Sequence, residues 1–193
     1  MDKPFVLVID HYPETLACVI AAHLHYLRIG CDQDIAESFN FAMGAAPHSF
    51  DVCWMLAGVT FDPELPGGLS EALRASKDIG AVHPLLPGRA VPPFAQGQLV
   101  SYAHLPMVAL MIRREAWKQV GGYDLQLPIF AREADLGYRL RRQGWDLGLY
   151  QECLHTVSRQ RPGDPSVTRR FNVAAERNLV AKYGENWADR LNV

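Results

Sequence analysis

The chain has 193 residues, 49% of them hydrophobic and 21% charged, with a formal net charge of −2. That length and composition suit one domain with a full core, and they exclude a disordered or low-complexity chain. No apolar run approaches the roughly 18 residues of a membrane span, and Cys18, Cys31, Cys53 and Cys153 show neither CxxC nor Cys/His spacing, so packed thiols are expected in place of a zinc site.

The opening MDKPFVLVID lacks the basic, apolar and small-residue layout of a secretory signal, which makes a cytoplasmic protein the expectation. Within it, Phe5–Ile9 is a continuous apolar run, the mark of a strand buried on both faces. His11-Tyr12-Pro13-Glu14 turns the chain into a helix, with Leu16, Val19, Ile20, Leu24 and Leu27 at helical spacing and Gly30 as its stop. His23 and His25 fall two apart on that helix and cannot share a face for a metal. Asp32 and Asp34 precede a second helix carrying Ile35, Phe39 and Met43, and Asp34 is a suitable cap.

Asp51–Ala57 is the next buried strand, a helix runs through Leu69 and Leu73, and Ile79–Val82 is a strand. Residues 84–106 are rich in Pro and Gly, a long loop of the kind that serves function. Strand Val108–Ile112 and helix Arg114–Val120 follow, closed by Gly121-Gly122, where a positive φ costs glycine little. Helix Glu133–Gln143 sets Leu136 and Leu140 against a face of arginines, Leu147–Tyr150 is a strand, residues 158–167 form a polar loop, and Phe171–Tyr183 is the last helix. Strands alternating with helices give an α/β fold, a three-layer and mostly parallel sheet flanked by helices. Ligands in such sheets gather at the carboxyl ends of strands, here near Asp10, Gly58 and the loops after Ile112 and Tyr150.

Charge is unevenly spread: residues 1–107 hold five basic and eleven acidic side chains, and residues 108–193 hold fourteen and ten. Arg139, Arg141 and Arg142 read as a solvated helix face. For Arg159, Arg161, Arg169 and Arg170 two readings stay open, solubility and the binding of an anion such as phosphate. The acidic total, with no aromatic residues among the basic ones, argues against a nucleic-acid partner.

The stretch from Val108 to Tyr150 carries Arg113-Arg114-Glu115-Ala116-Trp117, Val120-Gly121-Gly122-Tyr123-Asp124, Arg132-Glu133-Ala134-Asp135-Leu136 and Arg139-Leu140-Arg141-Arg142-Gln143-Gly144-Trp145. It resembles the family 2 glycosyltransferases, which there run Arg-Arg-Glu-Ala-aromatic, Val-Gly-Gly-aromatic-Asp, Glu-Asp-x-Asp-Leu and Arg-Leu-Arg-Arg-x-Gly-Trp. Ile79–Pro84 matches the family's Ile-Gly-x-Val-x-Pro strand, and Arg177, Asn178, Lys182 and Gly184 match its closing helix. The resemblance implies a single GT-A, Rossmann-like domain over residues 1–193 and an inverting, hexosyltransferase-type enzyme. Such an enzyme moves a sugar from a nucleotide-diphosphate donor to a hydroxyl of a glycan, lipid or protein acceptor.

By the same resemblance Glu133 falls on the catalytic base and Asp135 beside it, with Arg132 expected to pair with Glu133 and weaken it as a base. Complementing a helix N-terminus is the competing reading of both acids. Asp10 and His11, at the end of the first strand, are candidates to touch the donor nucleoside, with a turn-forming pair before Pro13 as the competing reading; Gly58 lies on the same edge, and Arg159 and Arg161 are candidates for the leaving diphosphate. The family's divalent cation sits on an Asp-x-Asp where this chain has Leu56-Ala57-Gly58-Val59-Thr60, so the motif is degenerate and no metal ligand or cofactor is the first expectation, with a divalent cation (Mn or Mg) as the alternative. Asp62 and Glu64 come later and could reach a cation only if the loop is rebuilt, and His155 lies two residues from Val157, where the family places a late histidine. A whole strand is expected to be missing between the first helix and Ile35, leaving the sheet one strand short. Loop 84–106 and an exposed Trp187 leave room for a homo- or hetero-oligomeric partner. The alternative reading is a non-catalytic GT-A-like binding or partner subunit.

Overall fold

A strand buried on both faces must be covered on both, and the elements of this chain follow from that demand. The computed structural model describes residues 4–9, 13–29, 34–48, 52–56, 58–85, 100–101, 109–153, 155–156, 165–187 and 189. Within them the order is β1 (Phe5–Ile9), α1 (Pro13–Ala21), β2 (His25–Ile29), α2 (Ile35–Ala45), β3 (Val52–Leu56), β4 (Val59–Thr60), α3 (Leu65–Arg74) and β5 (Ile79–Leu85). Then come β6 (Val100–Ser101), β7 (Ala109–Arg113), α4 (Arg114–Val120), α5 (Ile129–Arg142), β8 (Asp146–Cys153), β9 (His155–Thr156) and α6 (Pro165–Tyr183). Seven strands form one sheet in the order β2-β1-β3-β7-β5-β8-β6, and β4 pairs with β9 in a separate ribbon.

β1, β2, β3, β5 and β8 share one direction, so the sheet is mostly parallel, as expected. β7 runs against both of its neighbours, with Val52 opposite Arg113 and Leu56 opposite Ala109. The chain therefore leaves β7 at the edge where the parallel strands begin. This corrects the expectation that the loop after Ile112 lies on the ligand edge.

Alternate residues of β1 divide the core. Phe5 and Leu7 pack with Phe39 and Met43 of α2, Trp117 of α4, and Leu136 and Leu140 of α5. Val6 and Val8 pack on the other face with Val19 of α1 and Leu65, Leu69 and Leu73 of α3. α6 lies outside this sandwich, its Ala175 and Leu179 seated with Trp187 on Ala131 and Tyr138 of α5. Trp187 is thus buried, not exposed as expected, and its indole Nε1 donates to the Glu176 carboxylate at 3.0 Å.

The strand expected to be missing is present. α1 stops at Ala21, His23 takes a left-handed φ of 51°, and His25–Ile29 pairs in register with the whole of β1. Leu24 and Leu27 do fit helical spacing, but the open edge of a buried strand needs partners for its N–H and C=O groups, and five residues of ladder supply them. His23 and His25 accordingly lie in a turn and a strand. α5 begins four residues before Glu133, which removes both acids from the helix N-terminus. α6 begins at Pro165, so the tail of the predicted 158–167 loop is helical, proline suiting a first turn. β5 and β6 occupy part of the 84–106 loop, and the remainder lies outside the described residues.

Two adjacent arginines fasten the helices at the edge where β7 ends. Arg113 donates to the carbonyls of Ile79, Leu73 and Ser76 at 2.7–3.0 Å, closing the C-terminal end of α3. Arg114, buried, donates to Met43 and Pro47 and does the same for α2. A cation on unsatisfied C-terminal carbonyls also opposes the helix dipole favourably. Replacing Arg113 by Met is expected to keep the aliphatic packing and lower stability by about 2 kcal/mol, read as a shift in urea midpoint at unchanged slope.

Candidate functional site

The turn after α4 is built by glycine geometry. Gly121 caps α4 at φ 75°, its N–H reaching the Trp117 carbonyl at 3.0 Å, and Gly122 continues at φ 77°. A Cβ on Gly122 would stand 2.5 Å from Asn40 Oδ1, so no side chain fits there without a shift. That closeness serves the next residue: Asn40 donates to the Tyr123 carbonyl at 2.8 Å and accepts from its N–H at 2.9 Å. The Tyr123 ring meets Trp117 edge-on, with centroids 5.5 Å apart.

α5 then places its charged residues on separate flanks. Asp135 is 0% exposed, taking Arg139 Nε at 2.7 Å on Oδ2, and Lys182 Nζ at 2.6 Å and the Tyr183 hydroxyl at 2.5 Å on Oδ1. Arg139 goes on to the carbonyls of Val120 and Gly122, and Lys182 to Asp124 at 2.6 Å. A shallow cavity of about 300 Å³ lies over this network, lined by residues 120–124, Arg139 and Lys182. The hydrogen bond from Lys182 holds the Asp124 carboxyl below its ordinary range, against a smaller opposing effect of burial. Burial works to depress Lys182, and its bonds to Asp124, Asp135 and Tyr183 outweigh that and raise it. Both oxygens of Asp135 are committed, to Arg139 on one side and to Lys182 and Tyr183 on the other, so Asp135 acts as an anchor for α6 and the Gly-Gly turn.

Glu133 is half-buried. At about 100° per residue it projects some 200° around the helix from Asp135, about one turn before Leu136, which packs in the core. The acidic pair is therefore split between two flanks. Arg132 is not paired with Glu133: its Nη1 meets Asp34 Oδ2 at 2.5 Å, and its Nε and Nη2 donate to the carbonyls of Leu127 and Leu125. Asp34 also caps α2, accepting from Ala36 N at 2.9 Å. Burial works to raise the Asp34 carboxyl, and the bonds from Arg132 and Ala36 overcome it and leave it lowered. This pair sits where β2 ends and α2 begins, on the carboxyl edge.

Gly58 lies on the same edge, between β3 and β4, at φ 66°. The next residue fixes the corner: Val59 N donates to the fully buried hydroxyl of Thr15 in α1 at 3.0 Å. The β4–β9 ladder brings the backbone of His155 beside Thr60, two residues from Gly58. Asp62 and Glu64 are exposed beyond that ribbon, and among the described residues no three of His, Cys, Asp and Glu converge. Gly58, Val59 and Thr60 offer one hydroxyl and backbone groups. Asp10 and His11 fall between the end of β1 and the start of α1, and they lie outside the described residues, as do Arg159 and Arg161.

Sequence reasoning missed Asn40, Thr15 and the Asp135–Arg139–Lys182–Tyr183 network. The i, i+4 spacing of Asp135 and Arg139 was a usable signal, because such pairs meet on one helix face. Asn40 and Thr15 act across 83 and 44 residues, and no local pattern marks them.

No protein-family profile matches the chain, and no curated protein matches it. Solved structures do match. A mannosyltransferase from Pyrobaculum calidifontis, in complex with GDP-Man and Mn2+, is 10% identical at a TM-score of 0.62, over 94% of this chain and 65% of that one. Glucosyl-3-phosphoglycerate synthase from Mycobacterium tuberculosis, in complex with Mn2+, UDP-glucose and glycerol 3-phosphate, is 10% identical at 0.59, over 99% and 81%. The catalytic domain of Drosophila beta1,4-galactosyltransferase 7, in complex with xylobiose, is 17% identical at 0.55, over 84% and 75%. The fold of this chain is the GT-A fold of the glycosyltransferases. Among the described residues no helix is long and apolar enough to cross a membrane.

Two measurements test the electrostatic reading. Asp135→Asn is expected to cost about 2–4 kcal/mol, because Arg139 and Lys182 lose the charge that compensates their partial burial, whereas Glu133→Gln changes the urea midpoint little. Asp34 and Asp124 have lowered carboxyl values, so their contribution is present above the unfolded value of 3.8 and is lost as pH falls through the folded one. Thermal midpoints should therefore stay level near neutrality and drop below about pH 4. In Asp34→Asn combined with Asp124→Asn that acid limb should be shallower.

Proposed function

We propose that this chain is a glycosyltransferase of the family 2 type, taking a sugar from a nucleotide-diphosphate donor and inverting it onto an acceptor hydroxyl. The reading treats residues 1–193 as a single domain of this fold, at work in the cytoplasm. The observation that carries it is the split of the acidic pair: Asp135 is consumed by Arg139, Lys182 and Tyr183, and Glu133 projects from the opposite flank of α5. With its neighbour anchored, Glu133 is the carboxylate we assign to the family's base position.

In this mechanism Glu133 takes the proton of the acceptor hydroxyl as its oxygen bonds to the anomeric carbon. The bond from that carbon to the diphosphate oxygen breaks on the far side, and the diphosphate leaves with the electron pair. Arg159 and Arg161 offset its charge, a task for which guanidinium groups suit phosphate oxygens. Asp10, His11 and Gly58 receive the nucleoside at the carboxyl edge, where Thr15 pins the corner after β3. The degenerate motif at Leu56–Thr60 makes these arginines, in place of a cation, the charge on the leaving group.

A second reading, a GT-A-like partner subunit without catalysis, is favoured by one observation. The residues after β3 offer no carboxylate for a cation, which the mannosyltransferase and the synthase both hold as Mn2+. Calorimetric titration with UDP- and GDP-sugars, with and without manganese, separates the two. The transferase reading expects metal-independent binding that falls at least about tenfold in Arg159→Ala with Arg161→Ala, and transfer that falls about 10²-fold or more in Glu133→Gln at unchanged donor affinity. Absence of binding to every donor would select the partner subunit. Binding that requires manganese would sink the arginine mechanism.

A further inference from the structure

A tyrosine hydroxyl inside an apolar cluster normally finds a partner, because a buried polar group left unbonded forfeits the hydration it had in water. Tyr123 is 3% exposed, and its hydroxyl has no hydrogen-bond partner among the described residues. The side chain cannot drift to find one. Asn40 holds its backbone through two hydrogen bonds, Trp117 meets the ring edge-on, and Gly122 before it admits no side chain. The ring lies in the cluster between α2, α4 and α5 that also contains Leu136. Glu133 is one turn before Leu136 on that face of α5.

We propose that the buried Tyr123 hydroxyl is a positioning group for Glu133, donating to its carboxylate, directly or through one water, as the acceptor site closes. The inference deepens the assignment of Glu133 as base and rests on it for its catalytic meaning. Catalytic hydrogen bonds are often long in the unliganded protein and tighten on substrate, which accounts for a buried donor that is not yet engaged. A held carboxylate keeps the lone pair that takes the proton in line with the acceptor. Burial, and after it the negative charge of Glu133, both raise the phenol above its ordinary value, which keeps it a donor at every working pH.

The test has one arm that needs no substrate. Tyrosine labelled with ¹³C at Cζ gives a signal for each of the seven tyrosines, and Tyr123→Phe identifies the one in question. Because the charge of Glu133 already acts on the phenol before any bond forms, Glu133→Gln is expected to move the Tyr123 signal and to leave in place that of Tyr138, on the face of α5 that packs against α6. A Tyr123 signal that does not respond overturns the proposal. In the kinetic arm Tyr123→Phe should lower kcat about tenfold at unchanged KM, with stability kept because an unbonded polar group has been removed. An unchanged kcat in a folded Tyr123→Phe overturns the positioning role. If the signal moves and Glu133→Gln still transfers sugar, the contact stands and the base assignment falls. Should Tyr123→Phe fail to fold, the Glu133→Gln spectrum decides alone, the Tyr123 signal being then assigned by elimination through the other six tyrosines.

Discussion

The architecture depends on one compensated charge. Asp135 is wholly out of water, and a carboxylate there is tolerable only when cations and donors replace its hydration. Arg139, Lys182 and Tyr183 do so from three places: the next turn of α5 and two adjacent residues at the end of α6. Because Arg139 also holds the carbonyls of Val120 and Gly122, the same charge fixes the turn after α4. Each further contact inherits its geometry from this one. Asn40 can bracket Tyr123 only because the turn is closed, and the bracket ties α2 to the layer formed by α4 and α5.

That anchor determines what α5 can present to a ligand. Fixing the Asp135 flank against α6 and the turn fixes the rotation of the helix about its axis, and with it the direction of Glu133. Arg132 strengthens the same constraint at the carboxyl edge, where it is spent on Asp34 and two carbonyls and does not neutralise its neighbour. Two acids two residues apart thus have unlike environments, one saturated by cations and one half-buried beside an unbonded phenol.

How much of this was legible in the sequence varies with the range of the interaction. Phe5–Ile9, α4 and the Gly-Gly turn were readable because each is set by local pattern: an apolar run, helical spacing and positive φ. His25–Ile29 was misread because its apolar residues satisfy the helical period as well as the strand, and only the unpaired edge of β1 decides between them. The start of α5 was placed late because Pro128 and Ile129 carry no capping side chain, and Pro128 itself serves as the cap. The direction of β7 has no local signature at all, and it moved one expected ligand loop to the far edge of the sheet. In the candidate site Asp135 and Glu133 could be named from the motif, but not told apart, since their difference lies in Lys182 and Tyr183, 47 and 48 residues away.

The motif residues have a further meaning once their contacts are known. Arg113 and Arg114 close the ends of α3 and α2, Gly122 makes room for Asn40, and Asp135 with Arg139 anchors the last helix. Gly80 and Trp145, from two motifs 65 positions apart, are one contact: a Cβ on the glycine would stand 2.8 Å from the Cβ of the tryptophan. A match to such residues is therefore strong evidence for the scaffold and weak evidence for the reaction, because each would be retained to keep the fold whether or not sugar is transferred. The chemistry has to be sought where the motif does no packing work. On the reading proposed above that place is Glu133, and the phenol of Tyr123, buried and without a hydrogen-bond partner among the described residues, is the group proposed to serve it.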